Sequence, residues 1–139
     1  CIRGGYLTHG VVYVQYEQIW WSHGGSLHGT CPERLAFLRK IMEEAPKEAA
    51  PLKLTPENHG ENWDVSCLCK EDDKSYFLYY FGFFRPSFRT WKLAEGCVYE
   101  IELIDTWNMT IEKLPGVYTG NIRIEMPEKQ YMAVRFKRV

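Results

Sequence analysis

The stretch Cys97–Asp105, CVYEIELID, reads with a period of two: Tyr99, Ile101 and Leu103 alternate with Glu100 and Glu102. Successive side chains of a strand point to opposite faces, so the pattern predicts one buried face and one wet face. Residues 121–126, NIRIEM, repeat it, with Ile122, Ile124 and Met126 set against Arg123 and Glu125. Met132, Val134 and Phe136 continue it in the last stretch, YMAVRFKRV, and SYFLYYFGF at 75–83 is strand-like by its aromatic content. Ala94-Glu95-Gly96, Pro115-Gly116 and Pro127-Glu128-Lys129 are turn signals between these runs. Short strands at roughly ten-residue spacing with turns between them predict an antiparallel β-sandwich.

Towards the N terminus the period changes. In TCPERLAFLRKIMEEAP, Thr30 and Glu33 form a capping-box pattern and Pro32 falls in the first turn, so a helix is expected over 32–45. Leu35, Phe37, Leu38, Ile41 and Met42 make its apolar stripe, and Pro46 marks its end. PKEAAPLKLTPENHGE, 46–61, holds three prolines and little periodicity, and reads as an extended connector and a domain boundary.

Residues 1–29 carry only Arg3 and Glu17 as charges, against 33 in the other 110 residues, yet hold six of the eleven glycines and three of the four histidines. Such a segment cannot make a self-sufficient amphipathic element, and LTHGVVYVQY reads as a strand covered on both faces, part of a larger core. The start, CIRGGYLTHG, resembles neither a signal peptide nor a gene start, so the chain is expected to be a fragment or a processed product; localisation stays open, with a lean to the cytoplasm.

A net charge of −1 without a basic cluster gives no reason to expect nucleic acid or an anionic membrane as partner. The most apolar run, 77–84, is far short of a membrane helix. Five cysteines without regular spacing read as free thiols, mostly buried. Cys67 and Cys69 share one face of a strand, but no second CxxC and no HxxxH completes a zinc site, and no motif asks for a cofactor.

IWWSHGGSLHG, 19–29, concentrates the chemistry. Imidazoles hydrogen-bond hydroxyls and indoles stack on the apolar faces of sugars, so His9, His23 and His28 with Trp20 and Trp21 suit a neutral ligand; equally, the tryptophans could fill a core and the histidines cap turns. Glycoside hydrolysis usually needs two carboxyls flanking the bond, and residues 1–29 offer Glu17 alone. The acids of EDD, Glu71 to Asp73, sit together in a polar turn. Of the rings in YYFGFFRPSFRTWKL most are expected in the core, the remainder being free to bind carbohydrate or a neighbouring domain. Asn108-Met109-Thr110 is a formal glycosylation sequon, read as coincidence.

RGGYLTHG, IWWSHGGSLHG, PERLAFLRKIM, YYFGFFRPSFRTWKL, IDTWNMTIEKLPG and YMAVRF, in this order, resemble the C-terminal part of the apiosidase-like glycoside hydrolases, a (β/α)8 barrel followed by a β-sandwich of unassigned function. The resemblance implies a mainly β fold, an antiparallel sandwich preceded by one helix and a barrel-derived strand and loop. Residues 1–45 would be the barrel remnant, 46–62 a linker and 63–139 the sandwich. Barrel active sites lie where the loop after the last strand would be, so His9, Trp20, Trp21, His23 and His28 would line or support a sugar cleft. The catalytic acid and nucleophile would come from earlier strands. In that family His-Gly is commonly followed by Glu-Thr, whereas Val11 and Val12 stand here, removing an acidic contact. The resemblance therefore implies an accessory domain that buttresses the parent catalytic barrel without catalysing by itself; the alternative is a free-standing carbohydrate-binding module.

Overall fold

In the computed structural model, residues 1–3, 5, 13–15, 18–20, 30–54 and 65–139 are described, 13–15 and 18–20 through their backbone alone. Near the N terminus β1 (Tyr13–Gln15) pairs antiparallel with β2 (Gln18–Trp20), Tyr13 opposite Trp20. The helix α1 (Cys31–Glu43) follows. The remaining strands are β3 (Ala50–Leu52), β4 (Ser66–Lys70), β5 (Tyr76–Tyr80), β6 (Phe88–Lys92), β7 (Tyr99–Asp105), β8 (Thr110–Lys113), β9 (Asn121–Glu125) and β10 (Met132–Arg138). Among the described residues, no helix is long and apolar enough to cross a membrane.

Six strands form one sheet in the order β3-β4-β5-β10-β7-β8, and β6 with β9 forms a separate ribbon; all pairs are antiparallel. The molecule is mainly β, as the alternating pattern predicts, with two sheets enclosing one core. That core takes Cys67 and Cys69 from β4, Tyr79 from β5, Tyr99 and Ile101 from β7, and Val134 and Phe136 from β10, closed by Trp91 and Ile124 of the ribbon. The opposite face of the large sheet carries Leu68, Tyr76, Leu78, Ile104 and Ala133, which pack with Ile41 of α1. The arrangement is thus helix, six-stranded sheet, two-stranded ribbon.

Three expectations change. The second face of β10 is not wet, because α1 covers it: Ala133 and Arg135 are buried along with Met132, Val134 and Phe136. The connector contains a strand. Ala50–Leu52 pairs with Cys67–Cys69 at the sheet edge, where Pro51 can sit because an edge strand leaves one row of backbone groups unpaired. The helix forms as predicted but its capping box does not. Thr30 has φ −99° and ψ 10°, away from the extended geometry that aims a capping hydroxyl at the first amides, and no side-chain cap bond forms.

Candidate functional site

His9, Trp21, His23 and His28 lie outside the described residues, and Trp20 is described only through its backbone at the end of β2. The ring-rich stretch divides as its sequence suggests. Tyr79, Phe81 and Trp91 are core, whereas Phe83 and Phe88 reach the surface.

Phe83 belongs to a ladder of flat groups that three loops and the helix assemble. Its ring meets Tyr131 edge-on at 5.5 Å, and Tyr131 stacks on Trp107 at 5.6 Å with 24° between planes. The Arg34 guanidinium of α1 lies 4.4 Å from the Trp107 ring centre, and its Nη1 donates to the Trp107 carbonyl at 2.9 Å. Trp107 and Phe83 remain 58% and 55% exposed, far more than rings of this size in a core.

Hydrogen bonds fix the ladder. Tyr131 takes φ 62°, held by its N–H donating to the Gly82 carbonyl at 2.6 Å while its own carbonyl accepts from the Thr106 amide and hydroxyl at 3.1 and 2.6 Å. Asp105 accepts from the amides of Trp107 and Asn108 and from the Asn108 side chain. Burial pushes the Asp105 carboxyl up, but these bonds and Lys129 outweigh it and hold the group below the usual carboxylate range. The same bonds explain the sequon, whose asparagine closes the turn between β7 and β8. A ring inside the polar turn Asp105-Thr106-Trp107-Asn108 is the sequence signal for this surface.

A cavity of about 430 Å³ adjoins the ladder, sharing Arg34 and Thr106 with it and running between α1 and the sheet past Ile2, Phe37, Leu38 and Tyr80. Arg3 closes one side, its Nε donating to Ser66 Oγ at 2.6 Å and Nη2 to the Val65 carbonyl at 3.0 Å. A second cavity, about 340 Å³, opens between the two sheets over Phe77, Trp91 and Tyr99, with Glu71, Lys74 and Lys92 at its rim. Among the described residues Glu71 is the one acid that lines it, and they supply it no carboxyl pair for glycoside chemistry.

Two acids converge on a buried cation instead. Arg135, 1% exposed, pairs through Nε with Glu102 at 2.5 Å and through Nη1 with Glu44, just past the end of α1, at 2.6 Å; Lys137 also reaches Glu102, at 3.3 Å. Burial raises the Glu102 carboxyl, but the hydrogen bond and charge of Arg135, with Lys137, win and lower it. A general acid requires the opposite shift. Burial likewise pushes up the Cys67 and Cys69 thiols, leaving them protonated and unreactive. Asp73 of the EDD turn is held down to about 2 by hydrogen bonds from Ser75, and by Lys70. Among the described residues, no three His, Cys, Asp or Glu side chains come together as metal ligands would.

The chain belongs to the family described as Domain of unknown function (DUF5605), which matches residues 63–137. Its fold is similar to the crystal structure of a candidate glycoside hydrolase from Bacteroides vulgatus, with 26% sequence identity and a TM-score of 0.75. The likeness takes in 99% of this chain but only 30% of that one, so the chain spans less than a third of the neighbour's length. No curated protein matches it.

Proposed function

We propose that this chain is the C-terminal part of an apiosidase-like glycoside hydrolase, an accessory β-sandwich that buttresses a catalytic (β/α)8 barrel and does not hydrolyse by itself. The observation that carries the reading is the coverage: nearly all of this chain matches less than a third of a candidate glycoside hydrolase. In this reading residues 1–45 are the barrel's last strand, loop and helix, 46–62 the link, and 63–139 the sandwich. Support comes from how α1 is held. Arg34 on the Trp107 ring fastens its first turn and Glu44 on Arg135 its end, so a helix contributed by the barrel would transmit its position to the sandwich. His9, Trp20, Trp21, His23 and His28 would form one wall of a sugar cleft whose acid and nucleophile stand on the barrel.

The alternative, a carbohydrate-binding module, is favoured by the exposure of Trp107 and Phe83, but the Trp107 ring already carries Tyr131 and Arg34 against it. Titration of the 139-residue chain with plant-type oligosaccharides, followed by tryptophan fluorescence, separates the two. A flat response together with no release of sugar from these substrates is expected; saturable binding would establish the module, and hydrolysis by the isolated chain would sink both readings.

A further inference from the structure

We propose that the cavity between the two sheets is a binding site for an aromatic carboxylate, its flat body seated against Phe77, Trp91 and Tyr99 and its anionic end met by Lys74 and Lys92. The proposal concerns the sandwich itself and is independent of the buttressing reading.

The cavity follows from the topology. A ribbon of two strands cannot roof a sheet of six, since neighbouring strands lie only about 4.8 Å apart. Its Trp91 covers Phe136 at 5.1 Å and Tyr79 at 5.8 Å between ring centres, while Phe77, two residues before Tyr79 on the same face of β5, stays half-buried. The register sets Phe77 beside Phe136 on one side and Cys69 on the other, and Tyr99 meets Phe77 edge-on at 6.3 Å. About 340 Å³ opens over these rings, within the ~300–1,000 Å³ of small-molecule sites and far more than a packed core leaves empty.

The walls are fixed in advance. Lys74 takes φ 53°, and its carbonyl accepts from the Tyr99 hydroxyl at 2.7 Å; in the same turn the Asp73 carbonyl accepts from Arg138 Nη1 at 3.0 Å. On the ribbon side, the Leu93 N–H donates to the Gly120 carbonyl at 2.8 Å and holds the chain that follows Lys92. A site that needs no rearrangement loses little of its binding energy to ordering.

Polarity selects the ligand. The buried hydroxyls of the lining are already used, Tyr79 on the Cys67 sulfur and Tyr99 on the Lys74 carbonyl. A sugar would bury its own hydroxyls against rings, a cost that a flat hydrocarbon body does not carry. At the rim the cations are available: Lys70 is held by Asp73 at 3.1 Å, whereas Lys74 and Lys92 make no ion pair among the described residues. With Glu71 the one acid among the described residues of the lining, the rim is net positive, which an anionic head matches. The larger cavity beside α1 lacks such groups, because Arg3 and Arg34 are both bonded to the protein.

Isothermal titration calorimetry of the 139-residue chain with 2-naphthoate tests this. Saturable binding of one ligand per chain is expected, and the neutral isostere 2-naphthamide should bind about tenfold more weakly, because it forfeits the charge-assisted contacts. Lys74→Gln combined with Lys92→Gln should abolish that preference with thermal unfolding unchanged; Lys92→Gln alone, at an exposed side chain, should already narrow it. Absence of saturable binding, or the same preference in the native and the substituted chains, would overturn the proposal. Decanoate bound as tightly as 2-naphthoate would overturn the aromatic assignment, and displacement of 2-naphthoate by xylohexaose would make the cavity a carbohydrate site and overturn the proposal likewise.

Discussion

A guanidinium buried at the centre of a sheet keeps its charge only if the surrounding acids meet it, and Arg135 is met from two directions, by Glu102 on the neighbouring strand and Glu44 beyond the helix. Removing Glu102 leaves the buried Arg135 charge to Glu44 alone. Glu102→Gln should therefore destabilise the protein by about 3 kcal/mol at pH 7, read from urea unfolding. The cost should also depend on pH. The Glu102 carboxyl titrates below the 4.5 of a free glutamate, so between the two values the unfolded chain binds the extra proton. Its contribution is complete above pH 4.5 and is lost as pH falls through the lower folded value. The gap between wild type and Glu102→Gln should accordingly close on acidification below 4.5; a gap constant from pH 7 to 3 would show that packing, not charge, carries the effect.

At the scale of elements, a motif can be present without its interaction. Thr30 and Glu33 have the capping-box spacing, yet the Thr30 hydroxyl makes no cap bond; the first turn instead leans on Pro32 and on Arg34 against Trp107. Thr30→Ala should then shift thermal unfolding by the equivalent of less than about 0.5 kcal/mol, against about 1 kcal/mol for a working cap. A larger loss would show that the cap forms in solution. The same distinction decides which elements could be read in advance. β9 announces itself because it has one core face and one polar face, β7 because Tyr99 and Ile101 alternate with Glu100 and Glu102 even though Ile104 is buried on its second face under α1, and the helix because its stripe has a period near 3.6. β3 hides behind Pro51, which is admissible only at an edge, and an edge is a property of the whole sheet order. Cys67-Leu68-Cys69 shows no alternation since β4 is covered on both faces. The ladder is least legible: Arg34, Phe83, Trp107 and Tyr131 are scattered along the chain, and only the meeting of three loops with a helix makes them neighbours.

For the whole molecule the question is whether the family-matched region, 63–137, is a self-sufficient unit. One face of its large sheet has its own cover in the β6–β9 ribbon, which brings Trp91 and Ile124 onto the core. The other face does not. Leu68, Tyr76, Leu78, Ile104 and Ala133 are covered by α1, and the edge beside β4 is completed by β3, both of which lie before residue 63. A 63–139 fragment would expose these five side chains and deprive Arg135 of Glu44. At roughly 1 kcal/mol for each partly uncovered side chain, the loss approaches about 5 kcal/mol. That is comparable with the entire stability of many domains this small, typically about 5–15 kcal/mol. The fragment should therefore bind the dye ANS and melt broadly, whereas residues 30–139 should melt cooperatively without binding it. If 63–139 instead unfolds at the same temperature as the full chain, α1 lies on the sandwich as a passenger and the region is an independent module. If only 30–139 is cooperative, the working boundary of this unit falls before the helix, and the helix belongs as much to the sandwich as to any barrel that precedes it.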